Sequence, residues 1–217
     1  MTLVLHGHPF SSCTQKVLVA LYENATPFTW RMLDGPEAFA ELAALWPMRL
    51  MPVLVDDGRP VAETSIIIEH LALHHPGAVH LLPAEPRQAL EVRALDRFFD
   101  LYVMTPIQRI VGDRLRPEGE RDPRGVAEAK ARLDSAYGWL ETALAGRPWA
   151  AGDAFTLADC AAAPALFYAD WAHPIGASCP TVRSYRTRLL QRPSFARAVD
   201  EARPYRPLFP LGAPDRD

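Results

Sequence analysis

The sequence predicts a mixed α/β unit followed by an all-helical one. Three observations lead there: strand-like apolar runs stop at Ala62, helical periodicity alone follows Arg87, and Pro83 and Pro86 bracket a connector between them. The expected division is therefore 1–80 for the α/β unit and 87–217 for the helical one.

Leu3, Val4 and Leu5 have the β-tending character of a buried strand. Val17, Leu18, Ala20 and Leu21 have the spacing of a helix packed on one side, so the chain opens as strand, tight loop, helix. Phe28 to Met32 reads as a second strand and Glu37 to Leu45 as a short Ala-rich helix, with Trp46-Pro47-Met48-Arg49-Leu50 as a loop. Met51 to Ala62 is the clearest hairpin, two apolar strands around Asp57-Gly58. Pro52, immediately before a strand that should be central, is tolerated there if its peptide bond is cis, which leaves the Met51 backbone outside the sheet. Glu63-Thr64-Ser65 opens the next helix, with Ile66, Ile67, Ile68 and Leu71 expected to be buried, and His74-His75-Pro76-Gly77 closes it. The order βαβα followed by ββα is that of the thioredoxin-like fold, a mixed sheet with helices on both faces.

In the second unit, Leu90, Ala94, Phe98, Leu101 and Thr105 repeat at helical spacing and predict one long amphipathic helix. Arg93, Asp96, Arg97 and Asp100 on the same helix suit a partner subunit or pairs along one face. Ala129, Leu133, Ala136, Leu140 and Leu144 mark a second helix. Thr156-Leu157-Ala158-Asp159 has a capping-box layout opening a third, in which Pro164 should introduce a kink. Segments 181–191 and 194–202 give two more, followed by a Pro-rich tail.

A net charge of −3 with no basic block excludes a nucleic-acid surface. Cys13, Cys160 and Cys179 make an odd count without CxxC spacing, so neither a disulfide framework nor a zinc site is indicated, and a reducing, cytoplasmic location is expected. No basic leader and no apolar run of spanning length is present, so no membrane is expected.

The chemistry is expected at Ser11-Ser12-Cys13, because a helix N-terminus carries unpaired N–H groups and a partial positive charge that stabilise an anion. Ser12 with Gln15 three residues on fits a capping box, which leaves the Ser11 hydroxyl to donate to a ligand. Cys13, in the first helical turn, could be acidified there or could simply pack. His8 borders this site and could carry a proton. His70 and His74 share a helix face, but with no evident carboxylate or thiol partner no metal is expected. Cys160 on its Ala-rich helix reads as core, and Asp159 as a structural cap.

These residues together resemble the cytosolic glutathione transferase family, over nearly the whole chain to about Ala202. The resemblance rests on Ser11-Ser12-Cys13, Met51-Pro52-Val53-Leu54, Glu63-Thr64 with Ile68-Glu69-His70-Leu71, His80-Leu81-Leu82-Pro83, and Gly152 to Asp159. It implies a thioredoxin-like glutathione-binding domain, a helical domain supplying the electrophile pocket, glutathione as co-substrate, and a homodimer. By position, Ser11 matches the serine that hydrogen-bonds the glutathione sulfur in the theta and zeta classes, with Ser12 and Cys13 beside it as further catalytic candidates. The resemblance further implies a glutathione-binding set of Phe10, Arg49, Leu50, Met51, Pro52, Glu63 and Thr64. Within it, Met51 pairs with the cysteinyl backbone, while Glu63 and Thr64 hold the γ-glutamyl end. The electrophile pocket is expected around His8, Tyr102, Met104 and Thr105. The chain departs from the family pattern at Trp46, Arg49 and Leu50, where Arg49 could stand for the usual lysine, and at Thr14-Gln15-Lys16, where the zeta class reads Ser-Trp-Arg. The expected activity is attack of the activated thiol on small electrophiles, with glutathione-dependent isomerisation, thiol transfer through Cys13, or a non-catalytic binding role as alternatives.

Overall fold

The computed structural model describes residues 2–217. Four strands, β1 (Leu3–Gly7), β2 (Thr29–Met32), β3 (Val53–Asp56) and β4 (Arg59–Ala62), form one mixed sheet in the order β2-β1-β3-β4. β1 runs parallel to β2 and antiparallel to β3, and β3 and β4 form the predicted hairpin. Its two-residue turn has φ of 45° at Asp57 and 84° at Gly58, the left-handed pair that matches strand twist. The sheet alternates: Leu3, Leu5 and Leu54 face the main core, while Val53 faces a smaller cluster with Leu33, Ala38 and Leu42. Helix α1 (Ser12–Glu23) packs with α3 (Thr64–His74) against the first face, and α2 (Pro36–Leu45) contributes to the second cluster. This is the expected α/β arrangement.

The rest is helical: α4 (Pro86–Phe98), a π-helical stretch (Phe99–Met104), α5 (Thr105–Arg114), α6 (Pro123–Ala143), α7 (Leu157–Ala172), α8 (Pro180–Leu190) and α9 (Pro193–Ala202). The all-helical expectation holds beyond residue 86. One hydrophobic core runs through both parts, because α1 packs on α7 and α9 as well as on α3. Helix α7 is almost wholly buried and continues through Pro164. At its start the Asp159 carboxylate accepts from the Thr156 N–H (2.8 Å) and hydroxyl (3.2 Å), from the Ala150 N–H (2.8 Å) and from the Tyr185 hydroxyl (2.6 Å). Asp159 is therefore a structural anchor joining α7, α8 and the preceding loop.

Two burial expectations change. Ile66 is 54% exposed, and only Ile67, Ile68 and Leu71 of that group enter the core. In the α4 to α5 column, Leu90, Ala94, Leu101 and Thr105 are exposed, while Val92, Leu95, Phe99, Val103 and Ile107 are buried. Both faces of this column carry apolar residues, and the inner one also holds Asp96, which makes it look polar in sequence. The Pro-rich tail is also not peripheral: Phe209 is buried against Trp171, with ring centroids 5.3 Å apart.

Candidate active site

A cleft of about 810 Å³ lies between the α/β part and the helices. Its floor is built by three backbone features. β1 ends at Gly7, where a Cβ would lie 2.7 Å from Thr14 Cγ2, so glycine lets the start of α1 approach the strand closely. The Met51–Pro52 bond is cis, and Met51 lies just before the ladder, which begins at Val53. Glu63 adopts φ 69°, a conformation that costs a non-glycine residue on the order of 1–3 kcal/mol and that turns the chain from β4 into α3. The cleft thus receives the N-termini of two helices, α1 and α3.

Ser11, Ser12, Cys13, Phe10, Arg49, Leu50, Met51, Pro52, Glu63 and Thr64 all line this cleft. The capping roles differ from those expected. Ser11 is the N-cap of α1, its Oγ accepting from the Thr14 N–H at 3.3 Å, and Ser12 is the first helical residue. Gln15 does not reach back to close a box; its Nε2 donates to the Pro9 carbonyl (2.9 Å) and to the Tyr168 hydroxyl (3.2 Å). Capping uses only an acceptor lone pair of Ser11, so its hydroxyl proton remains free to be donated into the cleft. The expected division of labour between the serines is replaced by one serine able to do both.

Cys13 is partly exposed in the cleft wall. Burial, helped by the nearby Asp100 carboxylate, pushes its thiol above the ordinary range against the opposing Lys16 charge and a Ser12 hydrogen bond. Of the two alternatives open for Cys13, acidification or packing, the raised thiol favours packing. Arg49 sits on the rim with φ 56°, its N–H donating to the Trp46 carbonyl at 2.9 Å, so the altered loop closes as a tight turn.

The electrophile set divides. Met104 and Thr105 line the cleft, together with Leu101, Ile107, Gln108 and Val111. Tyr102 does not; it lies on the outer face, with its ring 5.2 Å from that of Phe98. The π-helical stretch changes the angular spacing from that of an α-helix, so a regular helical projection misplaces Tyr102. His8 is also elsewhere: its ring meets Tyr205 edge-on at 4.5 Å, its Nδ1 accepts from the Phe10 N–H at 3.2 Å, and it borders a separate depression. Burial lowers its pKa, so it is held as a neutral ring that fixes the loop.

Three lining features were not foreseen. Tyr168 of α7 donates its hydroxyl to the Phe10 carbonyl at 2.9 Å, tying the segment that carries Ser11 to the helical part. Leu208, Phe209 and Pro210 close one side of the cleft. Arg97 and Asp100 add a charged edge beside Leu101. A tyrosine inside an apolar helix and a proline-rich tail carry no local signal for these places.

Comparison with known proteins is consistent with this geometry. Residues 5–79 match the family described as glutathione S-transferase, N-terminal domain, and residues 123–189 match glutathione S-transferase, C-terminal domain. The chain matches about half the length of two curated relatives, glutathione S-transferases U10 and U9 of Arabidopsis thaliana. It is 27% identical to a glutathione S-transferase of Pseudomonas putida, over 95% of this chain and 96% of that one. It is 28% identical to a probable maleylacetoacetate isomerase of Caenorhabditis elegans, over 93% and 94%. Among solved structures, a glutathione S-transferase of Methylobacterium radiotolerans in complex with glutathione sulfonate superposes with a TM-score of 0.78, at 28% identity, covering 92% of this chain and 95% of that one. With both domain families matched in order and the same architecture in that structure, the chain belongs to the glutathione S-transferase family.

Proposed function

We propose that this protein binds reduced glutathione in the cleft and activates its thiol for attack on small, largely apolar electrophiles. The observation that carries this reading is the convergence of Ser11, Met51 and Glu63–Thr64 on one cleft between two helix N-termini. The γ-glutamyl carboxylate would take the open N–H groups of α3, with Glu63 near the amine, and the cysteinyl backbone would pair with Met51. The glycine end would then meet Arg49, whose guanidinium suits a carboxylate.

The glutathione sulfur would lie against the start of α1, accepting the Ser11 hydroxyl hydrogen bond. A hydrogen bond and a helix dipole both favour the thiolate, so the thiol proton leaves to solvent. The sulfur lone pair forms the new S–C bond and the electrophile's leaving group departs with its electron pair. Met104, Thr105, Ile107 and Val111 form the apolar wall on which the electrophile rests. The serine at this position supports a theta-like or zeta-like reading. The isomerase relative keeps glutathione-dependent isomerisation as the second reading, in which the same thiolate adds to and then leaves the substrate.

A second copy of the chain is the partner we infer for the outer face of α4, the π-helical stretch and α6, where Leu90, Tyr102 and Trp139 are exposed beside the Glu91–Arg147 pair. Sedimentation equilibrium tests it: a dimer is expected, weakened by Trp139→Glu. Among the described residues no helix is long and apolar enough to cross a membrane.

The test of function is calorimetric titration with reduced glutathione and S-methylglutathione, alongside turnover of an aryl halide. Both ligands are expected to bind, with proton release only from the free thiol. Ser11→Ala should abolish that release and lower turnover about 10²-fold or more, while changing glutathione affinity only a few-fold. Failure of a folded protein to bind either ligand would instead establish a non-catalytic member, and loss of activity in Cys13→Ala with Ser11→Ala silent would establish thiol transfer.

A further inference from the structure

At the end of the sheet remote from the cleft, Asp56, His70 and His75 meet. The hairpin brings Asp56, the last residue of β3, opposite Leu3 at the start of β1, while His70 and His75 come from the last turn and the cap of α3. The Nε2 atoms of His70 and His75 lie 2.9 and 2.8 Å from the same Asp56 Oδ2, and one donor atom from each of the three residues lies within 4.8 Å of the others. Their side chains are 17%, 13% and 14% exposed for His70, His75 and Asp56. The group is thus shielded yet reachable from solvent. His74, exposed at the helix end, sets its ring 4.5 Å from that of His70 and adds a third imidazole at the mouth.

We propose that Asp56, His70 and His75 form a binding site for one divalent transition-metal ion of the zinc class. Two imidazole nitrogens and a carboxylate oxygen are a donor set that suits Zn²⁺, Co²⁺ or Ni²⁺ and not Mg²⁺ or Ca²⁺, which favour all-oxygen ligands. With metal–ligand bonds of about 2.0–2.1 Å, tetrahedral ligand atoms stand about 3.3 Å apart, so the Nε2–Oδ2 separations need to open by only about half an ångström. Binding requires each Nε2 to present its lone pair to the ion, so the proton that Nε2 donates to Asp56 moves to Nδ1 or leaves to solvent. No electron transfer is involved. The sequence conceals this site because the carboxylate lies in a hairpin 14 residues before His70 and 19 before His75.

The site is independent of the glutathione reading. Along α3 the two lie about 16 Å apart, from Thr64 at the cleft to His75, eleven residues at 1.5 Å each. The ion would clamp the β3–β4 hairpin to the end of α3 and stabilise this part of the fold by mass action.

The test is titration of the full-length protein, freed of any affinity tag, with Co²⁺, followed by visible absorption and by back-titration with Zn²⁺. One Co²⁺ per chain is expected, displaced by Zn²⁺, with a higher melting temperature in its presence. Asp56→Asn keeps an acceptor oxygen for both rings, and His75→Gln keeps a polar side chain; each should weaken uptake at least about tenfold, since even outer-shell changes cost that much. Glutathione binding should be unchanged in both. In the unsubstituted protein, Zn²⁺ should protect His70 and His75, but not His173, from acylation by diethylpyrocarbonate read by peptide mass. Absence of saturable Co²⁺ uptake at millimolar concentration, uptake undiminished in both variants, or no selective protection of the two histidines would overturn the proposal.

Discussion

Lys16 Nζ lies 2.6 Å from Asp96 Oδ1, with the two side chains 3% and 2% exposed. The ammonium also donates to Asp100 Oδ2 at 3.0 Å and to Ser65 Oγ at 3.1 Å, and the Ser65 hydroxyl donates to Asp96 Oδ2 at 2.6 Å. One buried cation therefore joins α1, α3, α4 and the π-helical stretch behind the cleft. This network takes up Asp96 and Asp100, Arg93 turns to Glu69 of α3 (2.8 Å) and Arg97 to Asp100 (3.5 Å), so the four charges considered for a partner subunit all pair within the fold.

Removing one member of a buried pair leaves the other uncompensated. Lys16→Met is expected to destabilise the protein by about 3–5 kcal/mol, and Lys16→Met with Asp96→Leu to recover a substantial part of that loss. Urea unfolding of both variants measures it. Additive losses would show that the two residues do not act as a pair.

Tyr168→Phe removes the hydroxyl that holds the Phe10 carbonyl and accepts from Gln15. A stability loss of about 1 kcal/mol is expected from the missing hydrogen bonds. Turnover should fall more than glutathione affinity, because the segment being loosened carries Ser11. Steady-state kinetics beside binding calorimetry separates the two effects.

Cys13 carries a thiol whose pKa is raised by burial. Its alkylation by iodoacetamide at neutral pH should be slower than that of free cysteine and should accelerate only in the alkaline range. Cys13→Ala should retain most of the conjugating activity. Rapid neutral alkylation, monitored by mass spectrometry, would contradict this account.

Glu69 is held below the ordinary carboxylate range by its two hydrogen bonds from Arg93, which connects α3 to α4. A lowered folded-state pKa contributes stability that is present above the unfolded value of about 4.3 and is lost as pH falls through the folded one. Thermal melts across acid pH should therefore show a shallower decline in Glu69→Gln than in the unsubstituted chain. The pair is partly exposed, so the difference should be small and should shrink with salt.

Much of the site was legible because its residues signal locally. Serines before an apolar helix, a proline before a strand, and an acidic residue opening a helix each announce a backbone conformation within a few positions. All of them line the cleft. Local rules did not decide which serine caps α1, because Gln15 has a stronger pair of partners in Pro9 and Tyr168, one of them 153 residues away. Nor did they place His8 and Tyr102, which depend on the packing of Tyr205 and on a π-helical stretch inside the α4 to α5 column.

The sequence by itself determined the element order, the Asp57–Gly58 hairpin and the change from mixed sheet to helices, because periodicity and turn chemistry act over a few residues. Only the tertiary structure decided which face of α4 is inside, where the tail closes the cleft, and that Asp56 meets His70 and His75. Those outcomes depend on contacts between distant segments, where an inner face can carry charge because Lys16 satisfies it and an outer one can be apolar. No window of sequence contains both partners.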